Sequence, residues 1–234
     1  MWRPGRLDVV LCMPPPDRSV MEAHAWNPND RSLNIFVKDD DHLTFHRHPV
    51  AQSTDCIRGK IGYTDGFHVW EITWPSRQRG THAVVGVATK AARLHIAGYS
   101  SLIGSDSESY GWDISTLHSF SFFVPISRED NYMVPDRFLC ILDMDAGYMA
   151  FASESQYYGV AFTGLKGKKL YPIVSAVWGH CEITIKYLGG LESEPLPLMD
   201  ICRRAIRTQI GKQRMNRISE LRLPVGLKLL LYEE

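Results

Sequence analysis

Between Arg31 and Gly190 apolar residues recur with a period of two, and turn residues interrupt the pattern at short intervals. A helix would need a period near 3.6, so this stretch commits the chain to strands. In "FHVWEITW" (67–74), His68, Trp70, Ile72 and Trp74 fall on one face, with Phe67, Val69, Glu71 and Thr73 on the other. "THAVVGVAT" (81–89) is a nearly continuous β-branched run, suited to a central strand. "RFLCILDMDAGYMAFAS" predicts a hairpin that turns at Asp145-Ala146-Gly147. "KLYPIVSAVWGHCEITIKYL" supplies two more strands, the second setting Cys181, Ile183, Ile185 and Tyr187 opposite Glu182, Thr184 and Lys186. Many short strands with no helical period between them predict a mainly β chain folded as an antiparallel β-sandwich.

Near the C-terminus the period changes. Leu198, Ile201, Cys202, Ala205, Ile206 and Ile210 fall at helical spacing, with Arg203, Arg204 and Arg207 between them. Pro197 suits a first helical turn and Gly211 a stop, which places a helix over 197–210. "NRISELRLP", ended by Pro224, and "GLKLLLYEE" supply two further short helices. The pair Gly189-Gly190 followed by "LESEPLP" reads as a joint. The expected organisation is an extension over 1–30, packed on the sandwich or free, a sandwich over 31–190, and a small three-helix unit over 195–234. A helical tail of about 40 residues does not hold itself together without metal or disulfide. Burying Leu198, Ile201 and Ile206 is worth roughly 1.5–3 kcal/mol each, so the stripe must either pack back on the sandwich or meet a second polypeptide.

Charge excludes some functions. Lys and Arg total 26 and so do Asp and Glu, a balance that disfavours binding of nucleic acid or of an anionic membrane by charge. Residues 195–234 hold eight Lys/Arg against four Asp/Glu, so the rest is net acidic. The five cysteines (Cys12, Cys56, Cys140, Cys181, Cys202) are odd in number and widely spaced, which argues for a reducing compartment. The segment "MWRPGRLDVVLCMPPP" has a five-residue apolar run before its prolines, short for a secretion signal, and no stretch approaches the roughly 18 apolar residues of a membrane span. A cytoplasmic protein is the expectation.

Catalytic and metal-binding patterns are weak. "DDDHLTFHRH" groups His42, His46 and His48, but the segment is strand-prone and lacks a third ligand at a recognised spacing. His180 and Cys181 are neighbours on a strand and point to opposite faces, which rules out a nucleophile–base pair. Asp143 and Asp145 flank a turn, where aspartate is ordinary. "GSDSESYG" lacks the lysine of a phosphate loop. No catalytic residue, metal or cofactor is expected. Trp178 reads equally as core or as the flat wall of a site, Arg47 as a solvated cation or a ligand contact, and Tyr99 as a capping or a binding aromatic. A lectin-like sandwich is the rival reading, though it leaves the tail unexplained.

Two segments carry a resemblance. Pro197-Leu198-x-x-x-Cys202-x-x-x-Ile206, with "LRLPVGLKLLLYEE" downstream, resembles a SOCS box, departing from the usual Leu-Pro-x-Pro at Gly226. "PVAQSTDCIRGKIGYTDGFHVWEITWPSRQRGTHAVVGVAT", "LIGSDSESYGWDI" and "LYPIVSAVWGHCEITIKYLGG" resemble a SPRY domain, and the combination resembles the SPRY domain-containing SOCS box proteins over about residues 30–234. The resemblance implies a non-catalytic substrate receptor of a cullin-RING ubiquitin ligase. It implies elongin C and elongin B on Leu198, Ile201, Cys202, Ala205 and Ile206, and a cullin with its RING subunit on Leu223, Pro224 and Val225. It implies a substrate peptide such as Asp-Ile-Asn-Asn-Asn on Arg47, Pro49, Gly80, Thr81, Tyr99, Val177, Trp178 and Gly179. Residue chemistry suits this: the glycines admit backbone, Tyr99 and Thr81 donate and accept, and Arg47 is the candidate partner for the peptide's acid.

Overall fold

The computed structural model describes residues 3–115, 119–120 and 133–193, with 202, 206, 210, 218, 220, 223, 224 and 226–228 in the tail. The chain divides into two compact units, Met1–Leu191 and Glu192–Glu234. The first opens with helices α1 (Gly5–Cys12) and α2 (Arg18–Ala23), followed by strands β1 (Trp26–Arg31), β2 (Ile35–Val37), β3 (Thr44–Arg47), β4 (Ser53–Gly59) and β5 (Phe67–Thr73). Then come β6 (Ala83–Ala88), β7 (His95–Ala97), β8 (Ser109–Asp113), β9 (Ser119–Phe120), β10 (Arg137–Asp143), β11 (Tyr148–Ala152), β12 (Tyr157–Thr163), β13 (Tyr171–Ala176) and β14 (Glu182–Leu191).

Among the described residues these form two seven-stranded sheets, paired antiparallel throughout. The first runs β1-β4-β13-β6-β8-β9, with β7 sharing the edge of β4; the second runs β12-β11-β10-β5-β14-β3-β2. The expected mainly β, antiparallel sandwich is the fold observed. Its period-two faces set the layers. Trp70 and Ile72 of β5 with Trp74 just beyond it, and Ile183 and Ile185 of β14 with Cys181 just before it, point between the sheets, where they meet Val85, Val87 and Val174 from the opposite layer. All six residues of β6 are buried, as a central strand requires. The β10–β11 hairpin turns through Met144 to Gly147, where Gly147 takes φ +77° and its N–H donates to the Asp143 carbonyl.

On the other face of β5, Phe67 and Val69 are buried, while Glu71 and Thr73 are half-buried. Leu7 and Val10 of α1, three residues apart, bury against Phe67, Val69, Ile141, Ala150 and Ala152. Arg6 fixes the helix by pairing with Asp143 at 3.4 Å and Asp145 at 2.9 Å, so the two hairpin carboxylates anchor the N-terminal segment. At the end of α2, His24 stacks flat on Tyr187 (3.8 Å between centroids, 5° between planes) and shares a 2.8 Å hydrogen bond with the Tyr63 hydroxyl. No described helix is long and apolar enough to cross a membrane.

Candidate functional site

Register brings four loops to one end of the sandwich. Ala176 at the end of β13 pairs with Ala83 at the start of β6 and with Asp55 near the start of β4, whose Ser53 pairs with Ala97 at the end of β7. Glu182 at the start of β14 pairs with His46 near the end of β3. The residues just beyond these ends line a cleft of about 630 Å³: Pro49, Gly80, Thr81, Tyr99, Val177, Trp178, Gly179 and His180.

Each loop is held from behind. Arg79 is 3% exposed and donates to the carbonyls of Trp74, Val134 and Pro135, which pins the turn ahead of Gly80. Gly80 takes φ +64°, a left-handed conformation costly for other residues, and a Cβ there would lie 3.2 Å from Trp178. Gly179 packs against Pro49 so closely that a Cβ would sit 2.8 Å from its Cα. The Thr81 carbonyl accepts from Ser115 Oγ, and Thr54 Oγ1 donates to the Gly98 carbonyl and accepts from the Ser100 N–H on either side of Tyr99. Held this way, Trp178 stays 49% exposed and Tyr99 44% exposed, two aromatic faces turned to solvent over a rigid floor. Trp178 is therefore not a core residue.

Seven of the eight positions assigned to a peptide site thus share one cleft, and the eighth does not. Arg47 is fully buried. Its Nε donates to Asp55 at 2.8 Å, and its terminal nitrogens donate to the carbonyls of His48, Val50 and Ser53. Burial alone would raise the Asp55 carboxyl's pKa, but the Ser32 and Ser53 hydroxyls, the Asn34 amide and the Arg47 charge outweigh it and hold it low. Four of its five N–H donors are thus engaged within the loop and the side chain is shut away from solvent, so the guanidinium does not line the cleft. Instead it closes the loop that carries Pro49.

His180 joins the cleft although the sequence placed it on a strand. It sits just ahead of β14 with φ +62°, and its ring is exposed. Its Nδ1 lies 3.3 Å from His46 Nε2. A non-glycine residue in that region of backbone space carries no signal in sequence alone. Cys181 beside it is buried, and burial pushes its thiol up to about 12, far from a thiolate nucleophile. Among the described residues no three His, Cys, Asp or Glu side chains are arranged to hold a metal ion.

In the second unit Cys202 and Ile206 lie in helical backbone four residues apart, both exposed. Leu198, Ile201, Ala205 and Val225 lie outside the described residues. Leu223 is half-buried, Pro224 is exposed, and the Pro224 carbonyl accepts from the N–H groups of Leu227 and Lys228, starting a helical turn.

Comparison with known proteins places this geometry. The SPRY domain model matches residues 67–188 and the SOCS box model residues 194–231. The chain is 56% identical over 242 residues to the protein gustavus of Drosophila melanogaster, covering 99% of this chain and 87% of that one. It is 56% identical over 241 residues to SPRY domain-containing SOCS box protein 1 of Homo sapiens, with 99% and 88% covered. The solved SPRY domain of human HERC1 superposes with a TM-score of 0.53 at 15% identity over 70% of this chain and 98% of that one, a likeness of fold alone. A sandwich with a loop-built cleft at one end, followed by a SOCS box and matched nearly end to end by such relatives, identifies the chain as a member of the SPRY domain-containing SOCS box protein family.

Proposed function

We propose that the chain is a non-catalytic substrate receptor of a cullin-RING ubiquitin ligase. The cleft grips an extended, asparagine-rich acidic peptide of a substrate, and the SOCS box docks on elongin C with elongin B and on a cullin with its RING subunit. The observation that carries the reading is the gathering of Pro49, Gly80, Thr81, Tyr99, Val177, Trp178 and Gly179 in one cleft, in a chain whose C-terminal segment matches a SOCS box.

The chemistry of the cleft fits an amide-rich ligand. Asparagine side chains need paired donors and acceptors, which Thr81, Tyr99 and the loop backbone around the two glycines supply. The exposed Trp178 and Tyr99 rings offer flat apolar area at low entropic cost. The receptor itself forms no bond with ubiquitin. Its contribution is to hold substrate lysines near a charged conjugating enzyme, so the acceleration is one of proximity. On the SOCS box, Leu198, Ile201, Cys202, Ala205 and Ile206 form the stripe that an elongin C pocket covers, and Leu223, Pro224 and Val225 meet the cullin.

Two variants test the halves separately. Trp178→Ala weakens an Asp-Ile-Asn-Asn-Asn peptide at least about tenfold by calorimetry, the scale of a lost aromatic anchor. Leu198→Ser with Cys202→Arg abolishes co-purification of elongins B and C and leaves peptide affinity intact. Recovery of elongins equal to wild type overturns the ligase assignment, and unchanged peptide binding by Trp178→Ala overturns the site.

A further inference from the structure

Arg47 is buried against Asp55 and its own loop and does not line the cleft, so a carboxylate arriving there meets other groups first. Among the described lining residues, His180 is the one with an imidazole side chain, whose ring nitrogens can donate or accept. It does not act by itself. His46 Nδ1 lies 3.5 Å from Glu182 Oε1, and His46 Nε2 lies 3.3 Å from His180 Nδ1. Glu182 accepts only, which favours the His46 tautomer with its proton on the Nδ1 that faces the carboxylate; in that tautomer His46 Nε2 accepts and His180 Nδ1 donates. The ring nitrogen left to take up a proton is His180 Nε2. Once it does so, His180 is a cation at the cleft, and a second proton on His46 would set N–H against N–H.

The surroundings are compatible with that assignment. Phe36 of β2 packs on His46 and His48 at 5.1 and 5.0 Å between centroids, which fixes the His46 ring. The other charged or titratable groups facing the pair are Glu182 of β14, Lys38 beyond β2 at 3.5 Å from Glu182, and His48 beyond β3, whose ring centroid is 6.1 Å from that of His46.

We infer that His180, oriented by His46 and Glu182, reads the ligand's carboxylate, and that binding of an acidic peptide is therefore coupled to uptake of one proton at His180. The inference rests on the cleft being the peptide site. Coupling to a single proton permits at most about tenfold tighter binding per pH unit. An amide in place of the carboxylate gains no such charge pairing.

The test is calorimetric titration of the full chain at constant ionic strength and about pH 8, 7 and 6, a range that spans ordinary histidine titration. The probes are Asp-Ile-Asn-Asn-Asn and its Asn-Ile-Asn-Asn-Asn analogue. The acidic peptide tightens by about 3–10-fold from the highest to the lowest pH, and the amide analogue stays flat. His180→Asn, a residue that tolerates the left-handed backbone, removes the slope. His46→Gln reduces it, and His48→Gln retains it. A slope that survives His180→Asn, or one that the amide analogue shares, overturns the inference. The cleft assignment fails separately, if Trp178→Ala binds as tightly as wild type at the highest pH.

Discussion

Gly179 sets the shape of the cleft at the smallest scale. A side chain at this position would strike the Pro49 main chain at 2.8 Å, and main chain cannot rotate away as a side chain can. Gly179→Ala therefore forces the two loops apart, and peptide affinity falls about tenfold or more by calorimetry, the cost of overpacking a close contact. The chain remains folded, since the contact lies beyond the strand ends. An affinity within twofold of wild type would show that the loops do not need this approach. Sequence exposed these positions unevenly. The apolar Val177-Trp178 step before Gly179 stood out at a strand end, and its exposure follows from where β13 stops. The closure of Arg47 was not legible, because it depends on Asp55 and three carbonyls converging from a loop whose path no periodicity encodes. His180 was hidden for a similar reason: its role comes from one backbone angle.

At the scale of elements, the N-terminal helices show tertiary packing overriding local weakness. An eight-residue helix is not stable by itself in water, and α1 exists because Phe67 and Val69 present a second apolar face for it to cover. The alternation of β5 was readable; that its outer face would be roofed by residues sixty positions upstream was not. The docking of α2 turns on His24, which burial, with nearby His68 adding repulsion, lowers to about 4. An unfolded histidine titrates near 6.5, so protonation favours the undocked chain. The contact is fully stabilising above about pH 6.5 and is lost progressively as pH falls toward about 4. Thermal melts across that window should show wild type losing more stability than His24→Phe, which keeps a stacked ring without a titrating nitrogen. Parallel profiles would remove His24 as the acid-sensitive latch.

For the whole molecule, the division into Met1–Leu191 and Glu192–Glu234 corresponds to a change from period-two to helical patterning that was visible in sequence. A chain ending at Ser193 should bind the peptide within about twofold of full length, since every lining residue of the cleft belongs to the first unit, and should capture no elongin. Loss of peptide binding on truncation would show that the sandwich needs its tail. The buried Arg47–Asp55 clasp has one more implication. It sets the mouth of the receptor before any visitor arrives, so little reorganisation accompanies capture. Competing sequences would then reach the receptor at similar speeds and be sorted by how long each one stays.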